Sequence, residues 1–378
     1  MGKTSKSPKA VLLTAHRVGR ERLRTYSHLF SPKKFTQPQL FACLVLREFL
    51  RLDYRKLSAL LADCPELAAA IGLESIPHFT TFQKAHDRLL GSRRAQRLLD
   101  ETVAGAIKHK LMKGKAKLAA IDGTGFESRH VSRYYAKRKE KTAGNKGGKR
   151  RRFPKAGIVC DCQSHVILSI VPGRGPMPDD KHFKTALKQA TGRARIDTLL
   201  ADAGYDGEPS HRYAREEHGM KTVIPPKRGR PTDKLPKSKW RKRMATHFDK
   251  KKYGQRWQVE TVNSMIKRLL GSALRARTTR TQNQEIRLRA ITHNVMILWR
   301  WVFYRATKAQ SAAGQLAFAT DRIPRRRSQV PSLGGDLDNF VPVRDDGKSE
   351  RAHALSAPGS ARGSVTIPVS VVPLCATH

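Results

Sequence analysis

Three carboxylates of this chain stand at the ends of patterned segments. Asp122 ends the apolar run LAAID, Asp202 ends IDTLLAD, and Glu260 lies in a stretch of helical periodicity. Burying carboxylates together is unfavourable unless cations neutralise them. All-oxygen ligands suit Mg²⁺ or Mn²⁺, and two such ions about 3.5–4 Å apart can promote an in-line phosphoryl displacement. Asp122, Asp202 and Glu260 therefore predict a site for metal-dependent phosphoryl transfer.

Each carboxylate also has an ordinary structural interpretation. Asp122 precedes GTG and Asp202 precedes AGYDG, so either could form an Asx-turn, and Asp206 could be mistaken for Asp202. Glu260 alone on a helix would be a surface residue. The occurrence of all three in one ordered series, in a very basic chain, favours the functional interpretation.

The stretch around Glu260, YGQRWQVETVNSMIK, carries a polar stripe. Tyr253, Arg256, Glu260 and Lys267 occur at offsets 0, 3, 7 and 14, which fall within roughly 60° of one another on a helix. The opposite side is apolar, with Val259, Val262, Met265, Ile266 and Leu269. An amphipathic helix with a solvated charged face is the alternative interpretation.

The elements that must position these residues follow one another in a mixed order. The pattern predicts the strand of Asp122, a hairpin over 155–172, a helix capped by Asp179 or Asp180, and the strand of Asp202. A helix over 210–218, a strand at KTVIPP, the helix of Glu260 and a last helix over 284–307 come next. This order predicts an α/β fold with a mixed sheet flanked by helices.

The remaining chain divides by composition. Residues 1–35 are interpreted as a basic arm, and 36–112 as an all-α domain that either binds DNA through a helix-turn-helix or only packs on the main domain. The α/β domain spans 113–308, with basic loops at 133–155 and 227–252. Residues 309–378 have the composition of a disordered tail.

The charge indicates a polyanionic partner. The chain of 378 residues carries 75 Lys+Arg against 31 Asp+Glu, a net charge of +44. Such an excess favours nucleic acid over a membrane surface. Residues 133–155 alone hold eleven basic residues, and this loop is predicted to contact DNA through Arg133, Lys149, Arg150, Arg151 and Arg152.

The spacing of the cysteines and the lengths of the apolar runs argue against a zinc-binding, a secreted or a membrane-spanning protein. Cys43, Cys64, Cys160, Cys162 and Cys375 lack the spacing of a zinc site and are expected to be reduced. No signal peptide or run of about 18 apolar residues is apparent. A cytoplasmic, nucleoid-associated protein is expected.

These motifs resemble those of a known family. The pattern Tyr253-x2-Arg256-x3-Glu260-x6-Lys267 is similar to the Y-R-E-K signature of DDE transposases of the bacterial IS4 and IS5 insertion-sequence groups. AIDGTG at 120–125 and LLADAGYD at 199–206 resemble the segments around their two aspartates. The resemblance covers roughly 36–307.

The resemblance implies an RNase H-like catalytic domain in which Asp122, Asp202 and Glu260 bind two Mg²⁺ or Mn²⁺ ions. Tyr253, Arg256 and Lys267 would contact phosphates near the transposon end, and a homodimer would hold both terminal inverted repeats and the target DNA. In some relatives an aromatic ring stacks on a flipped base, a role open here to Trp240 or Trp257. Two other functions remain: a transposase-derived DNA-binding protein without catalysis, and a nuclease that cuts without joining.

Overall fold

A computed structural model of the chain describes residues 4–129, 152–227 and 234–320, with side chains as far as residue 299. The described residues belong to one compact unit, Met1–Asp321. Residues 322–378, most of the predicted tail, lie outside the described part.

The N-terminal part is helical, as predicted. Its six helices are α1 (Pro8–Arg22), α2 (Gln37–Phe49), α3 (Tyr54–Asp63), α4 (Pro65–Ala70), α5 (Phe79–Leu89) and α6 (Ser92–Lys108). The α2 helix begins with a capping box between Thr36 and Gln39, and all twelve of its residues from 37 to 48 are buried. It is therefore a central element of the core.

The segment interpreted as a basic arm, residues 1–35, contains α1, which is packed into the core. Val11, Leu12 and Ala15 are fully buried in the core, where α1 packs against α2 and the last helix of the unit. Ser7 accepts a hydrogen bond from the Ala10 amide and caps the helix. The many basic residues of this segment lie on the outer face of α1 and obscure its apolar periodicity.

Five strands form the central sheet, in the order β5–β4–β2–β7–β8. They are β2 (Ala119–Gly125), β4 (Phe153–Asp161), β5 (Ile167–Gly175), β7 (Thr198–Ala201) and β8 (Lys221–Val223). The first three pair antiparallel, whereas β7 and β8 run parallel to β2. Two small parallel pairs lie beside the sheet: β1 (Lys115–Ala116) with β6 (Arg195–Ile196), and β3 (Glu127–Ser128) with β9 (Ala273–Leu274).

Helices complete the predicted mixed α/β fold. They are α7 (Asp180–Thr191), α8 (Glu208–Arg212) with a π-helical turn at Tyr213–Glu217, α9 (Lys239–Thr246), α10 (Lys250–Tyr253), α11 (Trp257–Leu270) and α12 (Thr279–Thr320). The order of elements from β2 to α11 confirms the predicted fold class. The last helix extends to Thr320, beyond the predicted end at residue 307 and into the segment interpreted as a tail.

The segment 227–252 is not simply a loop, because it contains α9 and begins α10. Glu208 accepts hydrogen bonds from the amides of Trp240 and Arg241, at 3.2 Å each. These amides belong to the first turn of α9, whose donors have no partner within the helix. A carboxylate distant in sequence thus caps α9, and local pattern could not reveal it.

The face of the sheet under α7 is lined with glycine. A β-carbon built on Gly173 would lie 2.3 Å from Cε1 of His182, and one on Gly157 would lie 3.0 Å from its Cβ. Gly173 and Gly157 point to the same face, because Gly173 pairs with Lys155 two residues from Gly157. The missing side chains let the first turn of α7 lie directly on β4 and β5.

We expect Gly173→Ala to lower the free energy of unfolding by about 1–3 kcal/mol, because the added methyl overlaps the buried His182 ring. Gly204→Ala is the control, since a β-carbon there meets no atom within 4 Å, and its effect should stay within about 0.5 kcal/mol. Denaturant unfolding measures both. Equal stabilities of the two variants would contradict this account of the packing.

The fully buried carboxylate of one glutamate links α2 to two arginines, one just before α12 and one within it. Glu48 of α2 lies 3.0 Å from Arg289, 3.0 Å from Arg275 and 3.2 Å from Arg47. Burial by itself raises the pKa of Glu48, but the charges of the three arginines outweigh it and the pKa is lowered. Glu48 is therefore ionised and compensated in the folded protein.

Glu48→Gln should destabilise the protein by roughly 3–5 kcal/mol, because it leaves the buried arginines without their shared counter-charge. Glu101→Gln removes a partner of the more exposed Arg22, 2.6 Å away, and should cost at most about 1 kcal/mol. Because the folded-state pKa of Glu48 is depressed, its contribution is present above the ordinary glutamate pKa of about 4.3 and lost as pH falls through the folded value. Unfolding curves from pH 7 to 3 should show the wild-type advantage shrinking; a constant difference would contradict the role of the charge.

Candidate active site

Asp122 and Asp202 occupy neighbouring positions on adjacent parallel strands. Ile121 of β2 pairs with Ala201 of β7, and the two aspartates are the next residues of their strands. Asp202 is exposed at the end of β7, and its side chain caps no helical turn. Asp122 is the fourth of the seven residues of β2, so GTG continues the strand and the Asx-turn alternative for Asp122 is wrong. The strand register therefore brings the backbones of these two residues next to each other.

Glu260 lies in the first turn of α11, which packs on β2 and β4. Its side chain is 53% exposed and accepts a short hydrogen bond from Nη2 of Arg256. This i,i+4 ion pair joins two residues of the polar stripe. A carboxylate in the first turn also faces the positive end of the helix dipole.

The interpretation of 253–267 as one helix is wrong. Tyr253 ends α10, Gly254 caps it, and α11 begins only at Trp257. Tyr253 is half-buried, and its ring centroid lies 5.1 Å from that of Phe248. Tyr253 therefore does not share a helical face with Glu260 and Lys267.

An open groove of about 540 Å³ runs between β2 and α11. Its lining comes from one segment of each element: Asp122, Gly123, Thr124 and Gly125 of β2, and Glu260, Asn263, Ser264, Lys267 and Arg268 of α11. Asp122, Glu260 and Lys267, which the sequence singled out separately, thus line one groove. It presents both carboxylates and cations to a ligand.

Asn263 is a residue of this groove that sequence reasoning missed. Its Nδ2 donates a hydrogen bond to Oδ2 of Asp122 at 2.9 Å, and the residue is buried. A polar residue three positions after Glu260, on the apolar side of α11, is the sequence signal that could have revealed it. Asn263 links the glutamate-bearing helix directly to the strand aspartate.

The pKa of Asp122 is raised to about 6. Burial of the carboxyl is the largest cause, and the like charges of Asp179 and Glu260 add to it; the Gly123 amide and Arg256 act in the opposite direction. A half-buried carboxylate among other carboxylates is stabilised when a cation joins them. The electrostatics of Asp122 therefore fit a cation site.

The donor set also fits Mg²⁺ or Mn²⁺, because Asp122, Asp202 and Glu260 offer only oxygen ligands. Within the described ranges, however, no three His, Cys, Asp or Glu side chains already converge closely enough to enclose a metal ion. Glu260 is directed to Arg256 instead. The described arrangement is one in which a guanidinium neutralises the helix carboxylate.

The residues predicted to contact DNA are only partly described. Arg152 is exposed just before β4, and Lys267 lies with Nζ 6.0 Å from the ring centroid of Phe126. The remaining members of the basic cluster, Arg133, Lys149, Arg150 and Arg151, lie outside the described residues.

The two tryptophans considered for base stacking differ. The Trp240 ring is covered by Arg215 at 4.6 Å and by Lys239 at 4.7 Å, and its Nε1 donates to Glu216 at 2.8 Å. Trp257 is 53% exposed at the start of α11. Of the two rings, Trp257 is the accessible one.

The order of the five strands and the flanking helices are those of the RNase H-like fold class. Residues 113–295 match the family model described as "Transposase DDE domain". This match confirms the resemblance to DDE transposases for this part of the chain and supports a DNA-cutting function of transposase type. No curated protein matches the chain. None of its described helices is both long and apolar enough to cross a membrane.

Asn263→Leu should raise the pKa of Asp122 further above about 6, by roughly one unit, because a hydrogen bond to the ionised carboxylate is lost. Ser264 is an exposed residue of the same groove, and Ser264→Ala should leave the pKa of Asp122 unchanged. Carbon NMR of selectively labelled aspartate, with Asp122→Asn to assign the signal, follows the titration. An unchanged pKa in Asn263→Leu would show that the hydrogen bond does not stabilise the charged form.

Proposed function

We propose that this protein catalyses cut-and-paste DNA transposition: it cleaves the ends of an insertion sequence and joins the freed 3′-hydroxyl to target DNA. Asp122, Asp202 and Glu260 are its catalytic carboxylates. The observation that supports the proposal most is the register of β2 and β7, in which the residues just before Asp122 and Asp202 pair, together with the groove that contains Asp122 and Glu260. The Y-R-E-K signature assigns the protein to the IS4/IS5 groups.

The three carboxylates would hold Mg²⁺ or Mn²⁺, which would supply Lewis acidity to a phosphoryl displacement. The strands fix Asp122 and Asp202, and Asn263 orients Asp122 through its 2.9 Å hydrogen bond. Glu260 would complete the set once its carboxylate is no longer paired with Arg256. Its exposed position permits this change of partner at small cost, since exposed ion pairs contribute only about 0–1 kcal/mol.

The residues around the carboxylates bind DNA. Arg256, once released from Glu260, is free to form a bidentate contact with a phosphate. Lys267 lines the groove and contacts a neighbouring phosphate, and Tyr253 is a further phosphate contact. A net charge of +44 makes counterion release a large part of DNA binding, so affinity falls steeply with salt. Two copies of the chain hold the two transposon ends in the synaptic complex.

The test is cleavage and strand transfer on a DNA duplex carrying the terminal inverted repeats that flank the gene, with Mg²⁺ present. Glu260→Ala should lower the cleavage rate at least roughly 10³-fold, because several kcal/mol of transition-state stabilisation are lost. Glu66→Ala is the matched control: Glu66 is an exposed glutamate in the first turn of α4, and its removal should leave the rate unchanged. Equal rates for wild type and Glu260→Ala would refute the proposal.

The Arg256–Glu260 pair favours one alternative, a transposase-derived DNA-binding protein in which this pair never opens. It predicts binding to the terminal repeats without cleavage by any variant. A nuclease of the same fold would cleave but form no joined product, so gel analysis of strand-transfer products separates it from a transposase.

A further inference from the structure

Asp179, just before α7, brings another carboxylate to β2 near Asp122, and its charge acts on that of Asp122. A β-carbon built on Gly123 would lie 1.9 Å from Oδ1 of Asp179, so the carboxylate lies against the β2 backbone at the residue after Asp122, on the face of the sheet that α7 covers. The sequence suggested that Asp179 or Asp180 caps α7. Asp179 does occupy the cap position, but its side chain accepts no hydrogen bond from the helix. Its placement against Gly123 thus needs another explanation.

One lysine keeps Asp179 in this position. Nζ of Lys155 on β4 lies 2.6 Å from Oδ1 of Asp179 and donates a hydrogen bond to the Met177 carbonyl at 3.0 Å. The pair resembles the one between Arg256 and Glu260. In both pairs, a carboxylate near Asp122 is neutralised by a basic side chain beside it. These two ion pairs account for the lack of convergence of the carboxylates in the described residues.

A buried phenol provides a second, independent observation. Tyr205 is 2% exposed, its ring contacts Phe183 of α7, and its hydroxyl has no hydrogen-bond partner among the described residues. Burial and then the charges of Asp179, Asp122 and Asp202 raise its pKa. A buried hydroxyl without a partner, lying among three aspartates, indicates room for a ligand that brings its own oxygen or charge to this place.

We propose that Asp179 is a fourth carboxylate of the cation site formed by Asp122 and Asp202, and that Lys155 holds it in place until a divalent cation binds. The inference rests on the proposed function, because it assigns one more ligand to the same centre. The ligand is a hard cation of the Mg²⁺ or Mn²⁺ type, since all donors are oxygens. Tyr205 hydrogen-bonds to the hydration shell of that ion.

The proposal makes Lys155 a competitor of the cation. When the ion binds, Asp179 exchanges an ammonium for a divalent charge, and the lysine is released toward solvent or a DNA phosphate. Removal of Lys155 should therefore strengthen binding of the ion. If Asp179 served only to anchor α7, the affinity for the ion would not depend on Lys155.

The experiment measures Mn²⁺ binding to the full chain without DNA, by titration calorimetry and by the EPR signal of free Mn²⁺. Asp179→Asn should weaken Mn²⁺ binding about tenfold or more, and Lys155→Met should strengthen it about threefold or more. The matched control is Asp197→Asn. Asp197 has the same 34% side-chain exposure as Asp179 and is likewise paired with a lysine, Lys115 at 2.9 Å, but it precedes β7 at the end opposite Asp202. The Mn²⁺ affinity of Asp197→Asn should stay within twofold of that of wild type.

Asp122→Asn separates the possible failures. If this variant binds Mn²⁺ as well as wild type does, the cation site itself is refuted and the proposed function with it. If Asp122→Asn loses binding while Asp179→Asn keeps it, only the role of Asp179 is overturned. Thermal unfolding in the absence of metal checks that each variant is folded. If Asp179→Asn does not fold, Lys155→Met alone tests the proposal. A Mn²⁺ affinity of Lys155→Met no tighter than that of wild type then overturns the proposal.

Discussion

The buried carboxylate of Glu48 is the constraint on which the rest of the site depends. An ion in the interior persists only when it is compensated by charges and hydrogen bonds, and Glu48 obtains these from Arg47 of its own helix and from Arg275 and Arg289. Arg289 also donates to the carbonyls of Gly271 and Ala273, just after α11. The same cluster thus fixes the point at which the glutamate-bearing helix ends.

A second contact from the N-terminal helices acts at the same place. Arg51, which follows α2, donates hydrogen bonds to the carbonyls of Arg268 and Leu269 in the last turn of α11. These carbonyls have no donor within the helix. The N-terminal helices therefore hold the C-terminal end of α11 while Asn263 holds its middle to β2, and Glu260 is positioned by both. Catalytic geometry here depends on a region that the sequence presents as a separate domain.

The fold, and the elements that carry Asp122, Asp202 and Glu260, could be predicted because their signals are local. Apolar runs that end in a carboxylate identify the strands of Asp122 and Asp202, and helical spacing identifies the segment of Glu260. Asp179 and Asn263 could not be assigned in this way. Asp179 reaches β2 because glycines of three strands allow α7 to approach, and Asn263 meets Asp122 across 141 residues of sequence. The break between α10 and α11 was missed because Gly254 interrupts a periodic pattern without ending it.

The break between α10 and α11 determines which side chains lie at the start of α11. Arg256, Trp257 and Glu260 lie within its first turn and the residue before it, at the positive end of the helix dipole, which favours an anion. A guanidinium, an exposed indole and a carboxylate are thereby presented at one helix end. Trp240 is covered by Arg215 and Lys239 and donates to Glu216, so Trp257, 53% exposed, is the more accessible tryptophan. The helix break before Trp257 thus brings the proposed phosphate contact, the more accessible indole and the proposed catalytic carboxylate together at the start of α11.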